Sequence, residues 1–167
     1  DTIRLTMFTL RCTQKLLDRL KADPEPDPSQ ADTVLGDWYA NLVRVGRLQV
    51  VLAISERTLL PVVVPAKEGR TLVQRLAQEL EPVLMSLDVP AQEVIAECHG
   101  MQQAAIGKTT SRRVLGSLNE LAFQLESGLI HRPDRSLLDQ SLWLARTPMK
   151  VIEYAAPDQA TAAAFAA

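Results

Sequence analysis

Between residues 38 and 64 the chain spells out three short strands and the turns that join them, and this stretch most narrows what it can fold into. Residues 38–45 open on Trp38 and Tyr39, residues 48–54 are apolar except for Gln49, and residues 58–64 are rich in Leu and Val. Gly46-Arg47 suits a two-residue type II′ hairpin, in which Gly supplies the positive φ. Ser55-Glu56-Arg57 makes the next reversal, with Glu56 and Arg57 expected in solvent. The middle run is apolar on nearly both faces, which predicts a central, covered strand. Pro61 has no N–H to give a ladder, which puts the third strand at an edge or the Pro61 nitrogen on an unpaired side.

Residues 7–12 alternate, with Phe8, Leu10 and Cys12 on one side, and read as a further strand. Thr13 can cap a helix to Lys21 whose stripe is Leu16, Leu17 and Leu20. Residues 22–33 hold three prolines and four acidic residues; they read as a surface loop, either a lid or a tolerated insertion. From Thr71 the period turns helical, and Leu72, Leu76, Leu80, Val83, Leu84 and Leu87 share one stripe. Pro82 predicts a kink or break there between 78 and 82. Pro90 opens a helix to about Met101, and 103–106 reads as a short strand. Residues 111–130 form a helix with Leu115, Leu118, Ala122 and Leu125 inward, and 136–146 a last one ending before Pro148. The expected organisation is a single domain over 7–154, preceded by an extension at 1–6 and followed by an Ala-rich tail at 155–167. The expected fold is α+β: a small antiparallel sheet, a three-strand meander plus the N-terminal strand, covered mainly on one face by helices of the C-terminal half.

Composition removes several classes of function. The net charge is −2, which is no global footprint for nucleic acid and leaves only a local basic patch for that role. No apolar run approaches the roughly 20 residues that span a bilayer, so no membrane partner is expected, and the cytosol is the simplest compartment. Aromatics make up 4% of the chain, so Leu, Val, Ile and Ala must build the core. Cys12 and Cys98 form no disulfide framework. With His99 and His131 as the only histidines, no zinc-like spacing arises, and no metal or cofactor is expected.

The segments that could carry chemistry are few. Gly107-Lys108-Thr109 resembles the end of a phosphate-binding loop, but Gln102 stands where that motif needs its first Gly. Lys108, Thr109, Thr110, Ser111, Arg112 and Arg113 nevertheless gather three cations and three hydroxyls at a helix start, where free N–H groups favour an anion. The competing structural reading is that Thr110 or Ser111 only caps the helix and the arginines pair with acidic side chains. Asp37, Trp38, Tyr39 and Asn41 open the first long strand, where recognition by stacking would sit; a buried Trp38 anchoring the sheet is the structural alternative. Asn119 lies one position off its helix's apolar stripe and is a further polar candidate. No Ser-His-Asp order or paired carboxylates stand out.

Four segments together resemble a bacterial family known only as a domain of unknown function. They are Met7-Phe8-Thr9-Leu10-Arg11-Cys12-Thr13-Gln14-Lys15, Leu35-Gly36-Asp37-Trp38-Tyr39-Ala40-Asn41-Leu42, Glu56-Arg57-Thr58-Leu59-Leu60, and Arg113-Val114-Leu115-Gly116-Ser117-Leu118-Asn119-Glu120-Leu121-Ala122-Phe123. The resemblance spans about residues 7–148. It implies a bacterial origin and a compact stand-alone domain, and it supplies no activity. Three functions stay open: a binding or regulatory domain for an anionic or phosphate-bearing partner, an enzyme on a phosphorylated or nucleotide substrate using Asp37, Lys108, Arg112, Arg113 and Asn119, and a structural homo-oligomer joined along a sheet edge.

Overall fold

A computed structural model of the chain describes residues 7–167 apart from 27, 29 and 68. In chain order come β1 (Met7–Cys12), α1 (Gln14–Leu20), β2 (Trp38–Val45), β3 (Leu48–Ser55), β4 (Pro61–Pro65), α2 (Leu72–Ser86), α3 (Ala91–Gly100), β5 (Gln103–Lys108), α4 (Arg112–His131), α5 (Leu137–Leu144) and α6 (Pro157–Ala166). Single 3-10 turns lie at Gly69–Thr71 and Lys150–Ile152.

The meander forms as its turn chemistry requires. Val45 pairs with Leu48 across Gly46-Arg47, and Gly46 takes φ 59°. β3 runs antiparallel to both β2 and β4, and its residues from Val50 to Ser55 are buried. The third strand is shorter and later than the expected 58–64. Thr58, Leu59 and Leu60 belong to the turn instead, with Leu59 at φ 62°. β4, with Pro61 at its start, is the outermost strand on its side.

The sheet has five strands in the order β4-β3-β2-β1-β5 and is mixed, which corrects the antiparallel expectation. β1 runs parallel to β2 on one side and to β5 on the other. Local patterning identifies strands but not their partners; a parallel neighbour arrives through a crossover of a dozen or more residues. The helices also depart from expectation, because α1 belongs to the N-terminal part and both faces are covered. One face carries Leu10, Trp38, Ala40, Leu42, Val51, Val62 and Val64 against Leu16 and Leu17 of α1 and Leu72, Leu76, Leu80 and Leu84 of α2. The opposite face packs Tyr39, Val43, Val50, Leu52 and Ile54 against Val114, Leu118, Leu121, Leu125 and Leu129 of α4. A fully buried Leu such as Leu118 or Leu80 contributes roughly 1.5–3 kcal/mol by leaving water.

α2 runs unbroken through Pro82, so the expected break is absent. The Ala-rich segment forms α6, and its fully buried Thr161 donates to Thr58 Oγ1 at 2.9 Å. No helix among the described residues is long and apolar enough to cross a membrane.

The connections out of β1 and β5 position the site. These strands lie side by side and point the same way. α1, leaving β1, packs on one face, and α4, leaving β5, packs on the other. Adjacent parallel strands whose following helices part to opposite faces open a crevice at their carboxyl ends.

Candidate functional site

Asp37, just before β2, anchors the frame beneath the carboxyl ends of β1 and β5 through Arg11. The β1–β2 ladder begins only at Leu10 and Trp38, and just beyond it Asp37 Oδ1 accepts the Thr9 N–H at 2.9 Å. Asp37 Oδ2 accepts from Arg11 Nε at 3.2 Å, and Arg11 Nη1 donates to the Lys108 carbonyl at 3.0 Å. One carboxylate and one guanidinium thus tie three strands together at the point where β5 ends. The pair is nearly dry, with side chains 9% and 16% exposed. Thr9 is also fully buried, and its hydroxyl has no partner among the described residues.

The segment before β2 is held tightly enough to aim Asp37. Gly36 takes φ 76°, and a Cβ there would lie 2.9 Å from Glu56 Oε1 and 3.0 Å from Arg57 Nε. Only Gly fits both that backbone and that approach. Buried Glu97 reaches over from α3 and accepts the N–H groups of Val34 and Leu35 at 2.9 and 3.1 Å. Arg57 Nη1 donates to the carbonyls of Thr33 and Val34, and Ser55 Oγ donates to Leu35 O at 2.6 Å. Glu56 and Arg57, expected in solvent, also belong to this frame, with Arg57 exposed and Glu56 partly buried. Burial, and then the charge of Asp37, push the Glu56 carboxyl above its ordinary range. Burial pushes Glu97 up as well, against the two N–H bonds that favour its charged form.

On the other wall Tyr39 locks the start of α4. Its hydroxyl oxygen accepts the Ser111 N–H at 3.0 Å and shares a hydrogen bond with Thr110 Oγ1 at 3.2 Å. Ser111 is the N-cap and accepts from Val114 N at 3.2 Å. The N–H groups of Arg112 and Arg113 lie in the first turn, where no intrahelical acceptor exists, and they meet no acceptor among the described residues. Arg113 Nη2 turns to the Val151 carbonyl at 3.1 Å. Lys108 and Arg112 are exposed, and their head groups have no partner among the described residues.

The structure sorts the sequence candidates into two groups. Two separate sets of hydrogen bonds hold five of them: Arg11 links Asp37 to the Lys108 carbonyl, and the Tyr39 hydroxyl holds Thr110 and Ser111. Thr109 sits between Lys108 and Thr110 with its side chain unbonded among the described residues. Trp38 is fully buried in the opposite core and stacks on nothing in the crevice. Asn41 Oδ1 is taken by Thr13 Oγ1 at 2.5 Å and by its neighbour Leu42 N. Asn119 is exposed on α4, two turns along from the cluster. The expected pairing of the arginines with acidic side chains does not occur for Arg112 or Arg113. Sequence reasoning passed over Arg11 and Thr9. The available signal was a cation and a hydroxyl alternating with Phe8, Leu10 and Cys12 in a strand whose other side must then be polar.

Both oxygens of Asp37 already accept hydrogen bonds within the frame. Gly107 and Lys108 lie within β5 rather than in a phosphate-cradling loop. Burial drives the Cys12 thiol up to about 12 and Cys98 to about 11, so neither is a ready nucleophile. No group of His, Cys, Asp and Glu among the described residues could hold a metal ion.

The family described as Domain of unknown function (DUF6933) matches residues 9–160. No curated protein and no solved structure matches the chain.

Proposed function

Since the chain belongs to the DUF6933 family, whose description assigns no activity, we propose from the site alone that it is a binding domain that recognises an anionic, phosphate-bearing partner at the start of α4. The observation that carries this reading is the first turn of α4, where two backbone N–H groups and the head groups of Lys108 and Arg112 all lack acceptors among the described residues. Helix-start donors and nearby cations act together on a phosphate. Tyr39 supports the reading by fixing Thr110 and Ser111, so that the donors are ordered before a ligand arrives. Thr109 adds a hydroxyl. Arg113, bonded to Val151 O, plays a lesser part.

Two rival readings draw less support. The enzyme reading needs Asp37 as a free carboxylate, whereas Thr9 N and Arg11 occupy it. The sheet-edge oligomer needs unpaired backbone. At one edge Pro61 and Pro65 lack N–H groups and Val63 N donates to Ser141 Oγ; at the other, Ile106 O accepts from Glu25 N.

Thermal melts with inorganic phosphate, nucleotides and short oligonucleotides test the proposal. The ligand-induced rise in Tm should vanish in Lys108→Ala/Arg112→Ala and shrink with added salt. The unliganded variant should melt within about 0.5 kcal/mol of the parent, because neither head group has a partner within the described chain to lose. No ligand-induced shift in the parent protein would end the reading.

A further inference from the structure

We propose that the outer face of α4 docks antiparallel against the same face of a second copy of this chain, about a two-fold axis passing between Asn119 and Glu120. Arg112, Gly116, Asn119, Phe123, Glu126 and Ile130 recur at helical spacing on the side of α4 away from the sheet, and all six are exposed. Phe123 is 75% and Ile130 57% exposed, and they stand two turns apart on one line.

Gly116 stands on the same line, two turns before Phe123. A mid-helix Gly costs about 1 kcal/mol relative to Ala. Close packing within the chain can justify that cost, as at Gly128, where a Cβ would lie 2.6 Å from Gln140 Oε1. At Gly116 an added Cβ would meet nothing within 4 Å, so no contact inside the chain calls for glycine there.

The charges at the two ends of this face favour a second copy as occupant and antiparallel as the orientation, with the exposed Glu120 lying beside the axis. The cation Arg112 sits at the start of this face and the anion Glu126 near its end. A parallel copy would set like charge against like. An antiparallel copy sets Arg112 beside Glu126 of the partner subunit, twice by symmetry, and opposes the two helix dipoles favourably. The same axis places Phe123 over Gly116 of the partner subunit, which leaves the ring room to lie against bare backbone. A helix of this length spans roughly 30 Å, which puts the contact at the small end of specific interfaces. The dimer should be concentration-dependent, with a Kd on the order of micromolar.

Sedimentation equilibrium of the full chain in phosphate-free buffer at low ionic strength, from about 1 to 500 μM, should show a monomer–dimer equilibrium. Phe123→Glu should leave a monomer at every concentration. Gly116→Gln should raise Tm through helix propensity while weakening dimerisation at least tenfold, a divergence that a purely structural glycine would not produce. Arg112→Glu should weaken association, and adding Glu126→Arg should restore it. A parent protein monomeric throughout, or a dimer that persists in Phe123→Glu, would overturn the proposal. Failure of the charge swap to restore association would overturn the antiparallel register.

Discussion

Glu97 and Glu56 show how much single residues matter to the frame around Asp37. Glu97 is 3% exposed and holds two backbone N–H groups of the segment that leads into β2. Glu97→Ala leaves both without an acceptor and should cost about 2–4 kcal/mol, read as a lower midpoint in urea. Glu97→Gln keeps one acceptor and should fall between the two. Glu56 tests electrostatics. Its folded-state carboxyl sits above the ordinary range because of burial and of Asp37. A raised acid contributes stability below its unfolded pKa, and that contribution is lost as pH rises through the folded value. Glu56→Gln should therefore match the parent protein at pH below the usual Glu range and exceed it at neutral pH. The gain should stay under about 1 kcal/mol, since Glu56 is only half-buried and solvent screens it. Equal melting temperatures for parent and variant at both pH values would contradict that account. These residues were legible as charged but not as buried: a turn of Glu-Arg looks solvated until Gly36 is found packed beneath it.

Among the elements, the hairpin was the most legible because its geometry is local. Gly46 needs φ 59°, and its Cβ position is open space, so Gly46→Val isolates the backbone term. The expected loss is about 1–3 kcal/mol by thermal melt, with Gly46→Asn much milder because Asn tolerates the left-handed region. Pro82 was legible as a residue, but the helix does not break there. It deletes one hydrogen bond, but the residue left without a donor, Gln78, is on the exposed side, where water substitutes. Leu80, Val83 and Leu84 remain buried on the other side and carry the helix through. The start of β4 was misplaced because Leu59 and Leu60 are as apolar as strand residues. Only the backbone shows Leu59 in a left-handed turn, still fully buried.

At the scale of the molecule, α6 is the plainest case of structure hidden in bland sequence. Its alanines show no stripe, yet it docks through Thr161 to Thr58 and through Asp158 N to Ala145 O. Deleting residues 157–167 should lower stability by about 2 kcal/mol, a fall in Tm of several degrees for a domain of this size. An unchanged Tm would show α6 to be a passenger. The sequence by itself determined the strands at 7–12, 38–45 and 48–54, the hairpin, the cap at Thr13 and, of the inward stripe of α4, Leu118 and Leu125, while leaving the cap of α4 between Thr110 and Ser111. Each depends on residues within a turn or two of one another, where backbone sterics and periodic burial decide the outcome. Tertiary structure alone decided that β1 lies parallel between β2 and β5, that helices cover both faces, and that Arg11 meets Asp37 and Lys108. Those contacts join residues 26 and 97 positions apart; which strands become neighbours depends on the free energy of burying the two faces together, which no local pattern encodes.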